Sequence, residues 1–371
     1  MRVAIIHDYL NQRGGAEWVV AVLHEMFPEA PIFASIVDRE TLSPELQAAD
    51  IRPSWMQHLP GLRRHFKKYL LLYPSVFEGL DLSDYDLVIS SSSAFAKAVN
   101  PPGGTLHLCY CHTPARFIWD YQRYVERERL GPLARAFLPL AIRLLKTWDL
   151  RTAGRPHAYV ANSTVVAARI RQVYHREAVV IPPPVDLKRF QPLEGREDFY
   201  LIVSRLNPYK RIHLAIEAFN RLRLPLVIVG DGPHRPVLER LAGPTIRFTG
   251  YLSDDEVAQL YARCQALVIP GEEDFGLAVL EANASGRPVI AYRAGGALDT
   301  VKPDLNGIFF DQPSAESLAD AVIRARKMCW DSQRIREHAE GYGVERFKER
   351  MGEAIRALAG EFERELEYIK Q

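Results

Sequence analysis

Cysteine is scarce. The 371 residues contain four, Cys109, Cys111, Cys264 and Cys329, too few and too scattered for a disulfide framework. A reducing cytoplasm fits that usage. An excess of charge of one sign is missing too: Lys and Arg total 47 against 46 Asp and Glu, a formal net of +1, so bulk charge gives no reason to expect a nucleic-acid partner. No apolar run approaches the ~20 residues of a membrane span. Met1 to His7 passes straight into a strand pattern, which leaves no room for a signal peptide. The expectation is a soluble cytoplasmic protein, at most one resting on a surface. Short repeats and low-complexity segments are also lacking. No Gly-x-Gly-x-x-Gly opens a helix after the first strand, which disfavours a nicotinamide-dependent dehydrogenase. Metal-ligand spacing is poor as well. Asp84-Tyr85-Asp86 precedes its strand rather than following it, so turn and capping duty explains it better. His107, Cys109 and Cys111 share one strand face by period two, but ligands from a single strand cannot surround a tetrahedral ion.

What the chain does have is alternation. Apolar runs over Val3 to His7, Ile32 to Ile36, Leu87 to Ser90, Leu106 to Cys111, Ala158 to Ala161 and Ala178 to Ile181 are separated by helical patterns such as Ala16 to Met26. A second set covers Tyr200 to Ser204, Leu226 to Val229, Ile246 to Phe248, Ala266 to Pro270, Val289 to Tyr292 and Ile308 to Phe310. That is a βαβ rhythm with parallel sheets. Pro182-Pro183-Pro184 and the charged stretch beyond mark a join. The fold class expected is α/β, with two Rossmann-like, doubly wound domains facing a cleft. The first spans residues 1–185 and the second 186–345, and a terminal helix over 346–371 has no strand after it and can cross back to the first domain.

Four segments gather polar residues at strand ends. Glu273 and Glu281 lie eight positions apart after the run Ala266 to Pro270, one in a strand-to-helix loop and the other about two turns along a helix over Gly276 to Ser285, stopped by Gly286. Ligands of open α/β sheets bind at that edge, and helix amino termini there attract phosphate. Two carboxylates flanking such a terminus suit a sugar nucleotide, because they accept hydrogen bonds from hydroxyls while backbone amides hold the diphosphate. A solvated Glu281 and a loop charge at Glu273 remain the plainer alternative. Ser204-Arg205-Leu206-Asn207-Pro208-Tyr209-Lys210 places two cations on another strand-end loop, a fork and a point charge for a leaving diphosphate, or else a solvated loop. Gly14 and Gly15 follow the first strand and let amides approach an anion, unless they form only a tight turn. Val227 to Pro233 closes a further strand with Gly230 and Gly232, leaving room for a flat ring or its ribose.

Taken in chain order, these segments, together with Gly250-Tyr251-Leu252-Ser253-Asp254 and Gly295-Gly296, resemble the GT-B retaining glycosyltransferases of family four. The resemblance covers nearly the whole chain and is most specific from Ser204 to Gly296. It implies that Arg205 and Lys210 bind the donor diphosphate, that Glu273 contacts the hexose hydroxyls and that Glu281 holds the ribose. Backbone groups of Phe275, Gly276 and Leu277 line sugar and phosphate, and those near Tyr251 and Leu252 the base. Asp299 stands where many members carry glutamate. The segment Cys109 to Asp120 is similar to one in bacterial O-antigen and exopolysaccharide mannosyltransferases, which implies that His112 contacts the donor sugar. A satisfied core histidine is the alternative. The resemblance further implies retention of configuration, no essential metal, and no cofactor beyond the nucleotide-sugar donor, which is itself a substrate. GDP-mannose is the donor expected, with UDP-glucose or UDP-N-acetylglucosamine next, and the acceptor a saccharide or lipid-linked saccharide in surface-polysaccharide assembly. An inactive sugar-nucleotide-binding subunit is the reading from another class.

Two stretches mix basic with apolar residues. Leu62 to Tyr73 holds Arg63, Arg64, Lys67 and Lys68, and Arg135 to Trp148 sets Arg143 and Lys146 among leucines. Either can lie on the anionic inner face of the cytoplasmic membrane or simply pack with a solvated basic face.

Overall fold

The computed structural model describes every residue except 63–65, 121–131 and 370–371. Packing divides the chain into two compact units, Met1–Pro183 with Phe347–Gln371, and Pro184–Arg346. Both are built on parallel sheets covered by helices, the doubly wound α/β class expected from the alternation.

In the first unit the strands are β1 (Val3–His7), β2 (Ile32–Ala34), β3 (Ile51–Pro53), β4 (Leu87–Ser92), β5 (Leu106–Cys111), β6 (Ala158–Ala161) and β7 (Ala178–Val180), in the order β3-β2-β1-β4-β5-β6-β7. Central strands β1, β4 and β5 are buried along their whole length; β1 accordingly reads as an apolar run up to its final His7, whereas β4 ends in three buried serines and β5 encloses the buried His107. Strand β3 has no counterpart in the sequence reading. It is an edge strand with Arg52 and Pro53 exposed, and edges tolerate the proline and charge that erase the apolar signal. The run Ile32 to Ile36 gives a strand of only three residues. The helix Val344–Ile369 ends the chain, and its later part packs on the first unit: Phe347 meets the Tyr110 ring at 5.8 Å and Phe362 meets His157 at 5.1 Å. Lys348 Nζ reaches Glu25 at 2.7 Å.

The second unit orders β8 (Tyr200–Val203), β9 (Leu226–Val229), β10 (Ile246–Gly250), β11 (Leu267–Ile269), β12 (Val289–Tyr292) and β13 (Gly307–Phe310) as β10-β9-β8-β11-β12-β13. Alternate residues feed two cores. Tyr200, Ile202, Leu226, Ile228, Val268 and Ile290 pack with helices Ile212–Leu222 and Ala315–Arg326. Leu201, Val227, Leu267, Ile269 and Val289 pack with helix Leu277–Ala284 and Tyr261 on the opposite face.

Each sheet therefore has one point where the chain reverses its direction of travel, between β1 and β4 in the first unit and between β8 and β11 in the second. Loops diverge there and leave a crevice at the carboxyl ends of the strands.

Among the described residues, no helix is long and apolar enough to cross a membrane. Arg63 and Arg64 lie outside the described residues, as do the side chains of Lys67 and Lys68 and of Arg135 and Phe137.

Candidate functional site

The crevice of the second unit is built by three loops pressed together through glycines. Gly230, at the end of β9, has φ +114°, and a Cβ there would lie 2.2 Å from the Ser204 carbonyl oxygen. The Ser204 loop and the glycine loop are thus locked in register, with Leu206 N donating to Asp231 O at 2.9 Å. The Ser204 loop continues through a 3-10 turn, Pro208–Lys210, which presents Lys210 toward the loop after β11. There Lys210 Nζ meets both Glu273 carboxylate oxygens, Oε1 at 2.5 Å. The two side chains are 15% and 20% exposed, so the charges sit in a partly desolvated pair. Burial disfavours the Lys210 charge, but the Glu273 carboxylate more than offsets this and holds the ammonium above its ordinary pKa.

The loop after β11 is itself held by the two glycines that follow β12. A Cβ on Gly296 would fall 2.3 Å from Phe275 Cα and 2.4 Å from Phe275 O, and Gly296 N donates to Glu273 O at 2.9 Å. Gly295 adopts φ +62° against the same backbone. Gly296→Ala should therefore cost about 1–3 kcal/mol, the usual size of an overpacked contact with backbone. Thermal melting of that variant beside Gly360→Ala, where nothing lies within 4 Å of the new methyl, tests the contact.

Gly276 caps the helix Leu277–Ala284 from the left-handed region, φ +85°, so the helix starts one residue later than the apolar pattern suggests. Its second glutamate, Glu281, accepts from the Tyr261 hydroxyl at 2.7 Å. Burial pushes the Glu281 carboxyl above its ordinary value, and the Tyr261 hydrogen bond and Arg189 only partly counter it. A carboxylate in that position gains from any further hydroxyl donor. Phe275 is buried, Leu277 and Leu252 are half-buried, Arg205 is exposed, and Tyr251 is 78% exposed beyond β10. Ser253 and Glu256 form a capping box for helix Asp254–Arg263, with Ser253 N donating to Glu256 Oε2 at 2.8 Å.

In the first unit, His112 follows β5 directly and is nearly buried. Gly14 and Gly15 are exposed at the start of helix Gly15–Met26, and Gly14 is extended at φ −175°, a conformation any residue adopts. That turn does not itself demand glycine. Beside them the β1–β4 crevice holds polar residues to which the sequence reading gave no role: His7, Asp8, Glu17 and Ser91. The Asp8 carboxylate accepts from four successive amides, Ser93 at 2.5 Å, Ala94 at 3.0 Å, Phe95 at 2.7 Å and Ala96 at 2.7 Å. The available signal was positional: His7-Asp8 and Ser90 to Ser93 terminate two apolar strands that both expect burial. Among the described residues, no three of His, Cys, Asp and Glu converge to hold a metal ion.

Two Rossmann-like units, each with its crevice at the carboxyl end of a parallel sheet, define the GT-B architecture, and the comparisons with known proteins agree. Glycosyltransferase Family 4 matches residues 13–189, and Glycosyl transferases group 1 matches residues 185–341. The O-antigen chain mannosyltransferase C of Escherichia coli is 28% identical over 234 residues, 58% of this chain and 61% of that one. A GDP-mannose-dependent alpha-(1-6)-phosphatidylinositol dimannoside mannosyltransferase of Mycobacterium tuberculosis is 30% identical over 256 residues, 63% of this chain and 67% of its own. A GDP-mannose-dependent alpha-mannosyltransferase of Corynebacterium glutamicum is 37% identical over 140 residues, 34% of either chain. The chain thus spans between about a third and three-fifths of the length of the first of these relatives. Among solved structures, sucrose-phosphate synthase of Thermosynechococcus elongatus superposes with a TM-score of 0.74 at 18% identity, covering 97% of this chain and 100% of that one. HepE of Anabaena, in complex with UDP, gives 0.72 at 17%, covering 96% and 100%. The protein belongs to the family-four glycosyltransferases of the GT-B fold, and it resembles the O-antigen mannosyltransferases among them.

Proposed function

We propose that this glycosyltransferase is a retaining, metal-independent hexosyltransferase that moves mannose from GDP-mannose to a saccharide or lipid-linked saccharide acceptor in surface-polysaccharide assembly. The observation that carries the reading is the pairing of Lys210 with Glu273 at the β8–β11 switch point, with Glu281 and Tyr261 beside it. Mannose and GDP draw support from the activities for which these relatives are named.

In this reading the ribose hydroxyls donate to Glu281, whose burial leaves its charge short of donors. Arg205 and Lys210 take up the charge that grows on the departing diphosphate. Glu273 accepts from a hydroxyl of the hexose while staying neutralised by Lys210. Amides around Phe275, Gly276 and Leu277 line sugar and phosphate, Tyr251 and Leu252 the base, and Ser204 and Gly230 the nucleotide. Gly14, Gly15 and His112 contact the transferred sugar and its phosphate. Transfer takes place on the front face, with a leaving-group oxygen helping to remove the acceptor proton.

Contact with an anionic membrane face is the localisation we propose, from the cytoplasmic side. Helix Pro132–Thr152 supports it, since Leu140, Leu144 and Leu150 are 59%, 57% and 45% exposed near the exposed Arg143.

Thermal melting with GDP, UDP and ADP tests the donor. GDP should raise the melting temperature most, because a ligand at 100 times its Kd adds about 2.7 kcal/mol to the folded state. Glu281→Ala should abolish most of that shift. Preference for UDP would transfer the reading to UDP-glucose or UDP-N-acetylglucosamine, and no response to any diphosphate would refute the site.

A further inference from the structure

His7 and Ser91 pair in register across the β1–β4 switch point, and they link Glu17, which the catalytic reading leaves unused, to His112. His7 Nδ1 lies 3.0 Å from the Ser91 carbonyl oxygen and 3.1 Å from Ser91 Oγ. A carbonyl only accepts, so Nδ1 carries a hydrogen. On its other side, His7 Nε2 faces Glu17 Oε1 at 3.9 Å, an ion-pair distance too long for a direct hydrogen bond. Glu17 Oε1 also accepts from Gln12 Nε2 at 2.8 Å, while Oε2 is buried with no hydrogen-bond partner among the described residues. The interior carboxylate therefore depends on His7 for its counter-charge. Burial pulls the His7 pKa down, but Glu17, with lesser help from Asp8 and the Ser91 carbonyl, outweighs it and leaves the ring above its ordinary value. Glu17 is correspondingly held below the usual carboxylate range: burial raises it, and His7 and Gln12 overcome that.

The other side-chain partner of Ser91 is His112. Ser91 Oγ lies 2.8 Å from His112 Nε2. A hydroxyl that receives an N–H from His7 turns its own hydrogen to the remaining neighbour, so His112 Nε2 accepts. Burial and then the charge on His7 push His112 down to about 3, so the ring is neutral and its one proton sits on Nδ1. The main chain of His112 is fixed as well, with its N–H donating to Ser92 O at 2.8 Å and its carbonyl accepting from Asn162 Nδ2 at 3.0 Å. Tyr110 packs edge-on against the ring, centroid to centroid 5.1 Å.

We propose that His7, paired with Glu17, is a positioning residue that acts through the Ser91 hydroxyl to fix His112 as the Nδ1–H tautomer, a neutral hydrogen-bond donor. The use of that donor rests on the reading of His112 as a contact to the transferred sugar. As an Nδ1–H donor, His112 can address an acceptor lone pair, such as a sugar hydroxyl oxygen or a phosphate oxygen, and is unable to act as a base through that atom.

Long-range proton–nitrogen correlation spectra of the full chain labelled with ¹⁵N-histidine, recorded without donor near neutral pH, test the assignment. His112 should show an unprotonated Nε2 and a protonated Nδ1, and His7 two protonated nitrogens. A protonated Nε2 on His112, or a neutral His7, overturns the proposal without reference to any variant. In Ser91→Ala, His112 should exchange between tautomers and kcat should fall about tenfold, the worth of one net hydrogen bond, with donor KM held within about twofold. Ser91→Thr keeps the hydroxyl and should restore both the spectrum and kcat. Glu17→Gln should discharge His7 in the same spectra. A Ser91→Ala protein with an unchanged tautomer and unchanged kcat, or a His7 that stays charged in Glu17→Gln, refutes the relay. An enzyme that transfers a different sugar still passes the tautomer test, and a wrong tautomer fails it whatever the donor.

Discussion

Lys210→Ala is expected to lower kcat by about two to three orders of magnitude, the largest loss of any single replacement in this protein. Two effects add. The variant removes the point charge proposed to meet the departing diphosphate, and it leaves Glu273, 20% exposed, without the ammonium that now contacts both its oxygens. An uncompensated carboxylate beside the proposed diphosphate site would repel the donor, so KM should rise too. Arg205 is exposed and unconstrained by comparison, and Arg205→Ala should cost less. Steady-state kinetics, with melting temperature as a control for folding, distinguishes these outcomes. Near-normal turnover in Lys210→Ala would return the pair to a purely structural role.

Glu273→Gln should lower kcat about a hundredfold while changing the Kd of the free nucleoside diphosphate by no more than a fewfold. The substitution keeps size but removes the charge and one acceptor oxygen, whose proposed partner is the sugar, which the free diphosphate lacks. Isothermal titration with GDP beside single-turnover transfer separates the two quantities, and equal losses would remove Glu273 from the sugar contact. A pH signature accompanies the change. Because Lys210 sits above its ordinary value, the stability the pair adds is present throughout neutral pH and is lost only as pH rises through that raised value. The melting temperatures of wild type and Glu273→Gln should therefore converge on the alkaline side.

Much of this arrangement was legible in the sequence because parallel strands announce themselves. Val3 to His7 and Leu226 to Val229 are buried on both faces, so no polar residue interrupts them before the strand end and their ends fall where the apolar run stops. The edge strand Ile51–Pro53 carries no such run and was invisible. Glycines were legible as landmarks but not as contacts: Gly230 against Ser204 and Gly296 against Phe275 join loops whose proximity comes from strand order, which spacing does not encode. The same holds for the pairs that shape the site. Lys210 and Glu273 are 63 residues apart, Tyr261 and Glu281 are 20 apart, and His7 and Ser91 are 84 apart. A strand-terminal histidine looks like any other polar cap until the neighbouring strand is known. Glu17 illustrates the point, because its place in a helix start suggests solvent, whereas the fold turns it inward to His7.

The product of the reaction is the most direct witness to the proposed activity. Incubation with GDP-mannose and a lipid-linked or short saccharide acceptor in the presence of EDTA, followed by NMR of the product's anomeric carbon–proton coupling, reads donor, stereochemistry and metal dependence in one sample. The prediction is an α-linked mannosyl product that forms undiminished in EDTA and is lost in Lys210→Ala and Glu273→Gln. A β-linked product, transfer that requires added manganese or magnesium, or full activity in both variants would contradict it.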